Sequence, residues 1–372
     1  MCRIGALLAV LVLSCLTLLG GAPASRADSA PGGRSAFSIP ASLDLHDGTV
    51  LEYGGTYYAY GTAYACGFHW QQTNTPWCGF KVSTASSLLG PWSTPTLLFG
   101  PDDIDPFTGK SWQVECGGNG AGCFNPRMIQ RSGWGSDDGV WILWFNSPAD
   151  YGRDKTHAYN AMGCNGPAGP CGPSAGPPYG SYTKPALKFC TGNGDMGFID
   201  SATPGAAPAL VCTMPGALSL SVEELNGYGV GGSGVGALSV AGLKNIESPG
   251  GWYDRSSGQY FLTYSDPGCG YCTGTGTGYA TATDLYGTWT APPNLGIGQP
   301  ANGRRLISAN SCGGQPRTVA LVNGQAWQGI DLWTGDRNEV GAQMRFVPLN
   351  STTPSGTPGD GQVWRPPLAL AC

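Results

Sequence analysis

The sequence has little charge and almost no histidine. Only 12% of its 372 residues are charged, with 19 Lys and Arg against 24 Asp and Glu, and there are 3 histidines. A chain of net charge −5 with few lysines lacks the basic patches by which proteins attract nucleic acid or an anionic membrane surface. We therefore expect no nucleic-acid partner and no membrane partner.

Helical periodicity and long apolar runs are also missing. Beyond the first residues no apolar run is long enough to span a bilayer, and the G-x-S-x-G motif of many serine hydrolases is absent. The chain instead contains 61 Gly, 30 Pro, 12 Trp and 16 Tyr, with short aromatic and β-branched runs between turn residues. That pattern is typical of a loop-rich, all-β protein.

The N-terminus has the features of an export signal. A basic residue, Arg3, precedes an uninterrupted apolar run, and small residues follow around Ala22, Ala24 and Ala27. We predict a signal peptide over 1–27, a flexible segment over 28–39 and one folded domain over 40–372. The protein is accordingly expected to be secreted and extracellular.

Cysteine usage agrees with an oxidising compartment. Two of the 14 cysteines lie in the predicted signal, which leaves an even number, and disulfides are expected. Spacing alone does not fix their connectivity, but five pairs are close enough to bridge loops: Cys66 and Cys78, Cys116 and Cys123, Cys164 and Cys171, Cys190 and Cys212, and Cys269 and Cys272. The "CGYC" at 269–272 lacks a second pair at zinc spacing, so no metal site is predicted.

A segment recurs along the chain with variation. It consists of a polar residue, a few apolar residues, a turn and a strand containing aromatics. The copies are "HDGTVLEYGGTYYAYGT" (46–62), "FNPRMIQRSGWGSDDGVWILWFNS" (124–147), "GDMGFIDSATPGAAPALVCT" (194–213), "IESPGGWYDRSSGQYFLTYS" (246–265) and "GGQPRTVALVNGQAWQGID" (313–331). A repeated multi-stranded β-unit predicts an all-β, five-bladed β-propeller.

Each copy begins with a polar residue that the fold can turn toward the propeller axis. These are Asp47, Asn125, Asp195, Glu247 and Gln315, spaced 78, 70, 52 and 68 residues apart. The spacings exceed the roughly 40–50 residues of a usual blade, and inserted loops account for the excess. Because the innermost strand of each blade lines the central channel, residues far apart in sequence can share one pocket.

Three of these residues are acids, which suits glycosidic hydrolysis. That reaction needs a proton donor and, in the inverting mode, a base that activates water. A third acid nearby raises the pKa of the donor by like-charge repulsion. Asp47 and Asp195 are also compatible with ordinary turn or loop acids, whereas Glu247 directly precedes an apolar strand, where an unpaired carboxylate is rare.

The strands that carry the acids resemble those of glycoside hydrolase family 43, the five-bladed propeller glycosidases. "HDGTVLEYGGTYYAYGT" looks like the first-blade strand of that family, "GDMGFID" like its middle aspartate strand, and "IESPGGWYDRSSGQYFLTYS" like its Glu-x-Pro strand. The resemblance implies that Asp47 is the general base, Asp195 the pKa modulator and Glu247 the general acid.

Within that family, "NPRMI", "GVWILWFN" and the Gln of "GGQP" are similar to the exo-β-1,3-galactanase branch. That branch lacks the first-blade base, and a fifth-blade glutamine is thought to substitute for it. Here both Asp47 and Gln315 are present, so the base role is open between them. We favour Asp47 as the base and Gln315 as a substrate or water contact. The other predicted substrate-binding residues are His46, Asn125 and Trp252.

Departures from the family pattern leave the sugar open. Gly48 and Met196 replace the proline that usually follows the first two acids, and Phe124 stands where the galactanases carry a glutamate. We predict a secreted, inverting, monomeric glycosidase acting on plant-type polysaccharide or oligosaccharide, such as arabinan, xylan or β-1,3-galactan side chains or ends. The alternative is a propeller that binds carbohydrate without hydrolysing it. No cofactor is required for the reaction, and the resemblance leaves open a central structural ion such as calcium.

Overall fold

A computed structural model describes residues 35–118, 120–131, 139–148, 158–172, 182–292, 307–351 and 368–372. The predicted signal peptide over 1–27 and residues 28–34 of the predicted flexible segment lie outside the described residues. None of the helices in the described part is long and apolar enough to cross a membrane.

Strands form where the short aromatic and β-branched runs lie between turn residues. The first strand, β1 (Phe37–Ile39), belongs to the sheet that ends the chain. The first blade contains β2 (His46–Tyr53), β3 (Thr56–Thr62), β4 (Phe80–Ala85) and β5 (Thr96–Phe99). The second contains β6 (Phe124–Gln130), β7 (Trp141–Asn146), β8 (Tyr159–Cys164) and β9 (Tyr182–Thr183).

The remaining blades repeat this antiparallel order. The third contains β10 (Met196–Ile199), β11 (Ala209–Met214), β12 (Ser219–Leu225) and β13 (Gly232–Ala237). The fourth contains β14 (Glu247–Asp254), β15 (Gln259–Asp266) and β16 (Gly276–Ala282). The fifth contains β17 (Gln315–Val322), β18 (Gln325–Leu332) and β19 (Gln343–Ser351), with β20 (Leu368–Leu370) also paired to β19. Short helical turns occupy Ala41–Leu43, Gln113–Gly117, Val240–Gly242 and Ser311–Gly313.

The five sheets close into a ring. Inner strands β2, β6, β10, β14 and β17 contact one another in that order, and β17 contacts β2. The five-bladed β-propeller expected from the repeat is therefore confirmed.

Strand β1 completes the ring by pairing with β19 of the fifth blade. Phe37 lies opposite Phe346, and Ile39 lies opposite Met344. Within the described residues, β-structure begins at Phe37, inside the segment predicted as flexible over 28–39.

Apolar clusters fill the spaces between neighbouring blades. Each of the five junctions has one, because alternate side chains of a strand point to opposite faces of its sheet. On β7, Phe145 packs against the first blade, whereas its neighbour Trp144 packs against the third. Such large buried aromatics dominate the energetics of a core, and losing one typically costs about 3–5 kcal/mol.

Disulfides tie the inserted loops to the blades. All five neighbouring cysteine pairs named from the sequence are bridged: Cys66–Cys78, Cys116–Cys123, Cys164–Cys171, Cys190–Cys212 and Cys269–Cys272. A sixth bridge, Cys312–Cys372, spans 60 residues and fastens the C-terminus to the fifth blade. Six disulfides fit a protein that folds in an oxidising compartment.

Candidate active site

A cavity of about 560 Å³ lies where the inner strands begin. Its polar wall contains Asn146, Asn193, Asp195, Glu247, Gln315 and Arg317. Its aromatic wall contains Trp70, Phe124 and Tyr271. The ring therefore brings Asp195, Glu247 and Gln315, which come from three different blades, to one site, as the repeat predicted.

The first two blades differ from the predicted register by one residue. The residue that opens each inner strand and pairs with the second strand is His46 in the first blade and Phe124 in the second, as Glu247 is in the fourth. Each is followed by a residue of positive φ and a register shift, and these residues are Asp47, Asn125 and Ser248.

Asp47 and Asn125 are therefore not equivalent to Glu247. Both correspond to Ser248, and a β-bulge of this kind turns the side chain away from the direction that simple alternation predicts. The backbone at the first bulge is tightly packed, since a Cβ on Gly48 would lie 1.7 Å from the carbonyl oxygen of Tyr60. This close approach requires glycine after Asp47.

Glu247 is held by two donors at the cavity wall. Its Oε1 accepts hydrogen bonds from the main-chain N–H of Cys269 at 2.7 Å and from Nε2 of Gln315 at 2.6 Å. Burial raises the pKa of Glu247 to about 8, and the negative charge of Asp195 adds to the increase, while the two donors act against it. A carboxyl group with this pKa is protonated at neutral pH and can donate a proton.

Gln315 has a fixed amide orientation. Its Oε1 accepts from the indole N–H of Trp333 at 2.8 Å, and its Nε2 donates to the carbonyl of Cys269 at 2.9 Å as well as to Glu247. An indole N–H can only donate and a carbonyl can only accept, so the partners settle which end is the nitrogen. Gln315 thereby fixes the position of the Glu247 carboxyl.

Asp195 is held as an anion next to Glu247. It accepts hydrogen bonds from Nδ2 of Asn125 at 2.8 Å, from the Ser248 hydroxyl at 2.5 Å and from the guanidinium of Arg317. Burial raises the pKa of Asp195, but Arg317 and the two hydrogen bonds outweigh it and hold the pKa below its usual range. The site thus pairs a neutral carboxylic acid with a carboxylate, a division that suits acid catalysis.

Arg317 is a site residue that sequence reasoning missed. Its Nη1 also contacts the Ser248 hydroxyl at 3.1 Å, its Nε donates to Asp331 at 2.7 Å, and its guanidinium lies 5.3 Å from the ring centre of Trp333. The signal was available, because Arg317 is two residues after Gln315 in "GGQPRT" and alternate residues of a strand share a face.

Asp47 lies beneath the cavity and does not line it. It is fully buried, one oxygen accepts from the Thr62 hydroxyl at 2.7 Å, and the other accepts from the main-chain N–H of Asn125 at 3.2 Å. Burial raises the pKa of Asp47 to about 6, against the opposing charge of Arg317. The structure therefore places Asp47 outside the cavity wall, and its assignment as general base stays a prediction.

Three predicted substrate-binding residues also lie outside the cavity wall. His46 is fully buried and bonds Asp44 through Nε2 at 3.3 Å, and Asn125 is fully buried and holds Asp195. Trp252 packs in the cluster between the fourth and fifth blades, stacked on Phe261 at 5.0 Å. Of the four predicted substrate-binding residues, Gln315 is the one that lines the cavity.

The aromatic wall is the surface most suited to a sugar ring. Trp70 meets Tyr271 edge to face at 5.2 Å, and Tyr271 meets Trp333 at 4.9 Å. Phe124 contacts Phe68 edge to face at 5.9 Å, and all three cavity-lining rings pack against the same small cluster. Partly exposed aromatic faces of this kind bind the apolar faces of sugars.

Several solved structures that share this fold are named as sugar-hydrolysing enzymes. An exo-β-1,3-galactanase variant of Phanerochaete chrysosporium with β-1,3-galactotriose gives a TM-score of 0.58 at 17% identity, over 82% of this chain and 61% of that one. A family 43 β-1,3-galactosidase with galactodeoxynojirimycin gives 0.60 at 14% identity, over 88% of this chain and 94% of that one. This chain shares the fold of the galactanases.

The likeness extends to a bacterial enzyme. The exo-β-1,3-galactanase of Clostridium thermocellum gives a TM-score of 0.58 at 17% identity, over 88% of this chain and 61% of that one. This chain therefore spans about 61% of the length of the fungal and clostridial galactanases. No protein-family model matches the chain, and no curated protein matches it.

A central calcium ion does not fit the residues around the axis of this propeller. Arg127 and Arg317 bring two buried guanidinium groups to the inner strands, and both oxygens of Asp47 accept hydrogen bonds from the protein. The described ranges contain no group of three or more His, Cys, Asp or Glu side chains arranged to hold a metal ion. The buried, unpartnered Nδ1 of His46 is a single donor and does not make the oxygen shell that calcium requires.

Substitution of Asp47 tests its exclusion from the chemistry. Because the cavity wall does not include Asp47, Asp47→Asn should keep turnover within about tenfold of the wild type, far from the loss expected for a catalytic base. Asparagine can still pair with the Thr62 hydroxyl and the Asn125 N–H, so the fold should persist. The test is kcat on an aryl glycoside. A fall of a thousandfold with normal thermal stability would restore Asp47 as the base.

Proposed function

We propose that the protein is a glycoside hydrolase in which Glu247 is the general acid. One observation carries the proposal: Glu247 has a pKa raised to about 8 and lies beside Asp195, whose pKa is held low, in a cavity on the propeller axis. A proton on Glu247 is available to the leaving oxygen of a glycosidic bond at neutral pH.

The charges of Asp195 and Arg317 influence the protonation state of Glu247. The charge of Asp195 favours the protonated form of Glu247, and Arg317 keeps Asp195 ionised while that charge is buried. As bond cleavage builds positive charge on the sugar, the carboxylate of Asp195 in the cavity wall stabilises that charge.

The proposed substrate is a β-1,3-linked galactan or oligosaccharide. Its support is the shared fold with enzymes named for β-1,3-galactan and β-1,3-galactose, together with a cavity that combines aromatic and amide side chains. Arabinan and xylan are the other substrates to compare. We propose inversion on the sequence resemblance. Gln315 orients the attacking water, since Trp333 uses only one of the two lone pairs on its amide oxygen, and the water releases its proton to solvent as it bonds to the sugar carbon.

A second candidate is a propeller that binds sugar without hydrolysing it. One observation favours it: among the described residues, the carboxylates that line the cavity are Asp195 and Glu247, and Asp195 is already held by three donors. A site with an acid and no free base can bind glycan and still fail to activate water.

A release assay separates the two candidates. Purified protein is incubated with β-1,3-galactan, arabinan, xylan and their aryl glycosides, and the sugars released are identified by chromatography, with Glu247→Gln as the inactive reference. Release by the wild type and not by the variant supports hydrolysis. Binding of a glycan by calorimetry, with no release from any substrate, supports the second candidate and rejects the first.

The pH profile follows from the two pKa directions. Glu247 must be protonated, so kcat/KM should be constant up to about pH 7 and fall as pH rises through about 8. Asp195 must be ionised, so the loss on the acid side should begin only below the usual aspartate range. The measurement is kcat/KM from pH 4 to 10. An optimum below pH 5 with an alkaline loss near pH 5 would contradict the role given to Glu247.

We also propose that the protein acts outside the cytoplasm. The export-signal pattern over 1–27, an even set of bridged cysteines and an acidic, low-charge chain support this location. Its test is the recovery of the mature protein in the culture medium, with N-terminal sequencing to locate the cleavage point.

A further inference from the structure

A short bridged loop forms part of the cavity wall on the fourth blade. It runs from Cys269 to Cys272 after β15, and a disulfide joins its two ends across three residues of sequence. Cys269, Gly270 and Tyr271 line the cavity, Gly270 is exposed, and both cysteines are half-buried. The bridge therefore lies at the rim of the cavity and not in an inter-blade core.

The main chain of Cys269 contacts both Glu247 and Gln315. Its N–H donates to Oε1 of Glu247 at 2.7 Å, and its carbonyl accepts from Nε2 of Gln315 at 2.9 Å. Gln315 in turn donates to Glu247 at 2.6 Å. The three groups form a closed hydrogen-bonded set, in which one peptide segment fixes both the acid and its amide partner.

We infer that the Cys269–Cys272 bridge is a positioning element for the catalytic acid. The inference rests on the proposed role of Glu247. Neither sulfur touches the acid; the bridge restricts the backbone that presents the Cys269 N–H and C=O. An acid catalyst must be held within a narrow geometry, and loops hold such geometry poorly unless they are constrained.

The rest of the loop is held by side-chain and packing contacts, including the ring contacts of Tyr271 with Trp70 and Trp333. The Tyr271 hydroxyl hydrogen-bonds the Tyr64 hydroxyl at 2.9 Å, and Gly270 packs so closely on Trp70 that a Cβ there would lie 2.6 Å from the indole ring. These contacts locate the outer part of the loop. The Cys269–Cys272 disulfide is the covalent constraint on Cys269, the residue whose N–H bonds Glu247.

Removal of the bridge should change kcat and the pKa of Glu247 as well as the thermal stability of the protein. In Cys269→Ala/Cys272→Ala the main-chain groups remain, but the loop can move and admit water. We expect kcat to fall by about tenfold to a hundredfold with a smaller change in KM, the scale of one mispositioned hydrogen bond to an ionisable group. Entry of water lowers the pKa of Glu247, whereas loss of the Cys269 N–H bond raises it; because burial is the largest cause of the raised pKa, the alkaline limb of kcat should move to lower pH.

The matched control is Cys164→Ala/Cys171→Ala. That bridge also closes a short loop, over seven residues, but neither cysteine lines the cavity. Its removal should lower thermal stability and leave the alkaline limb unchanged. An alkaline limb in Cys269→Ala/Cys272→Ala that equals that of the wild type and the control would overturn the inference.

Two further measurements keep the test decisive. If the double variant does not fold, folded wild type is treated with a dithiol. The dithiol reduces the bridge to two thiols and is itself oxidised to a cyclic disulfide. Alkylation mapping then identifies preparations in which only Cys269 and Cys272 are reduced. The pKa of the Glu247 carboxyl is followed by carbon-13 NMR. It should fall on loss of the bridge whether or not the protein hydrolyses sugar, and an unchanged value would reject the inference without affecting the proposed function.

Discussion

Glu247→Gln should lower kcat by about 10²- to 10⁴-fold, the range that a general acid contributes. The substitution keeps the shape of the side chain, and the amide oxygen can still accept from the Cys269 N–H and from Nε2 of Gln315. What is lost is the proton. The variant should therefore bind oligosaccharide as the wild type does and fail to turn it over. The measurement is kcat with an oligosaccharide, together with Kd by calorimetry.

The control for this variant is Glu224→Gln. Glu224 lies on β12 of the third blade, bonds Ser233 and does not line the cavity, so the same chemical change there should leave kcat unchanged. Both variants should unfold within about 3 °C of the wild type, because no buried contact is removed. Retention of most of the turnover in Glu247→Gln would reject Glu247 as the acid.

Asp195→Asn should have the second largest effect. It removes the negative charge that raises the pKa of Glu247 and leaves the buried guanidinium of Arg317 without its partner in the cavity. We expect kcat to fall by about a hundredfold or more, and the alkaline limb of the pH profile to move to lower pH. Residual activity should therefore be greater at pH 5 to 6 than at pH 8, relative to the wild type.

Asp254→Asn is the matched comparison. Asp254 ends β14, the strand that begins at Glu247, and its side chain accepts hydrogen bonds from Ser256 and Ser257 in a turn. Loss of this charge should leave both kcat and the alkaline limb unchanged. Equal pH profiles for Asp195→Asn and the wild type would show that Asp195 does not act on the pKa of Glu247.

The fold could be predicted because the repeat reports a physical constraint. Each strand has one face toward each neighbouring blade, so both of its faces need apolar residues. This requirement explains the aromatic runs that recur in the sequence. Trp144 and Phe145 illustrate the result, since these neighbours enter different clusters. The same property misled the interpretation of Trp252, whose sequence context does not reveal that its ring packs on Phe261.

The site could be predicted only in the blades where the repeat gave the correct register of the inner strand. Asp195 and Glu247 were placed by their position in the repeat, and both line the cavity. Asp47 was placed in the same way but does not line the cavity. A β-bulge changes the direction of a side chain, and the composition of the strand does not reveal the bulge. The Cys269 main chain could not have been found from sequence, since its contribution lies in backbone groups that every residue carries.

The central claim is that the ring holds a neutral carboxylic acid beside an ionised aspartate. Carbon-13 NMR of glutamate-labelled protein, with Glu247→Gln to assign the resonance, measures the protonation of Glu247 directly between pH 4 and 10. The account predicts a carboxyl that is protonated at pH 6 and titrates near pH 8. A Glu247 carboxyl that is fully ionised at pH 6 would contradict it.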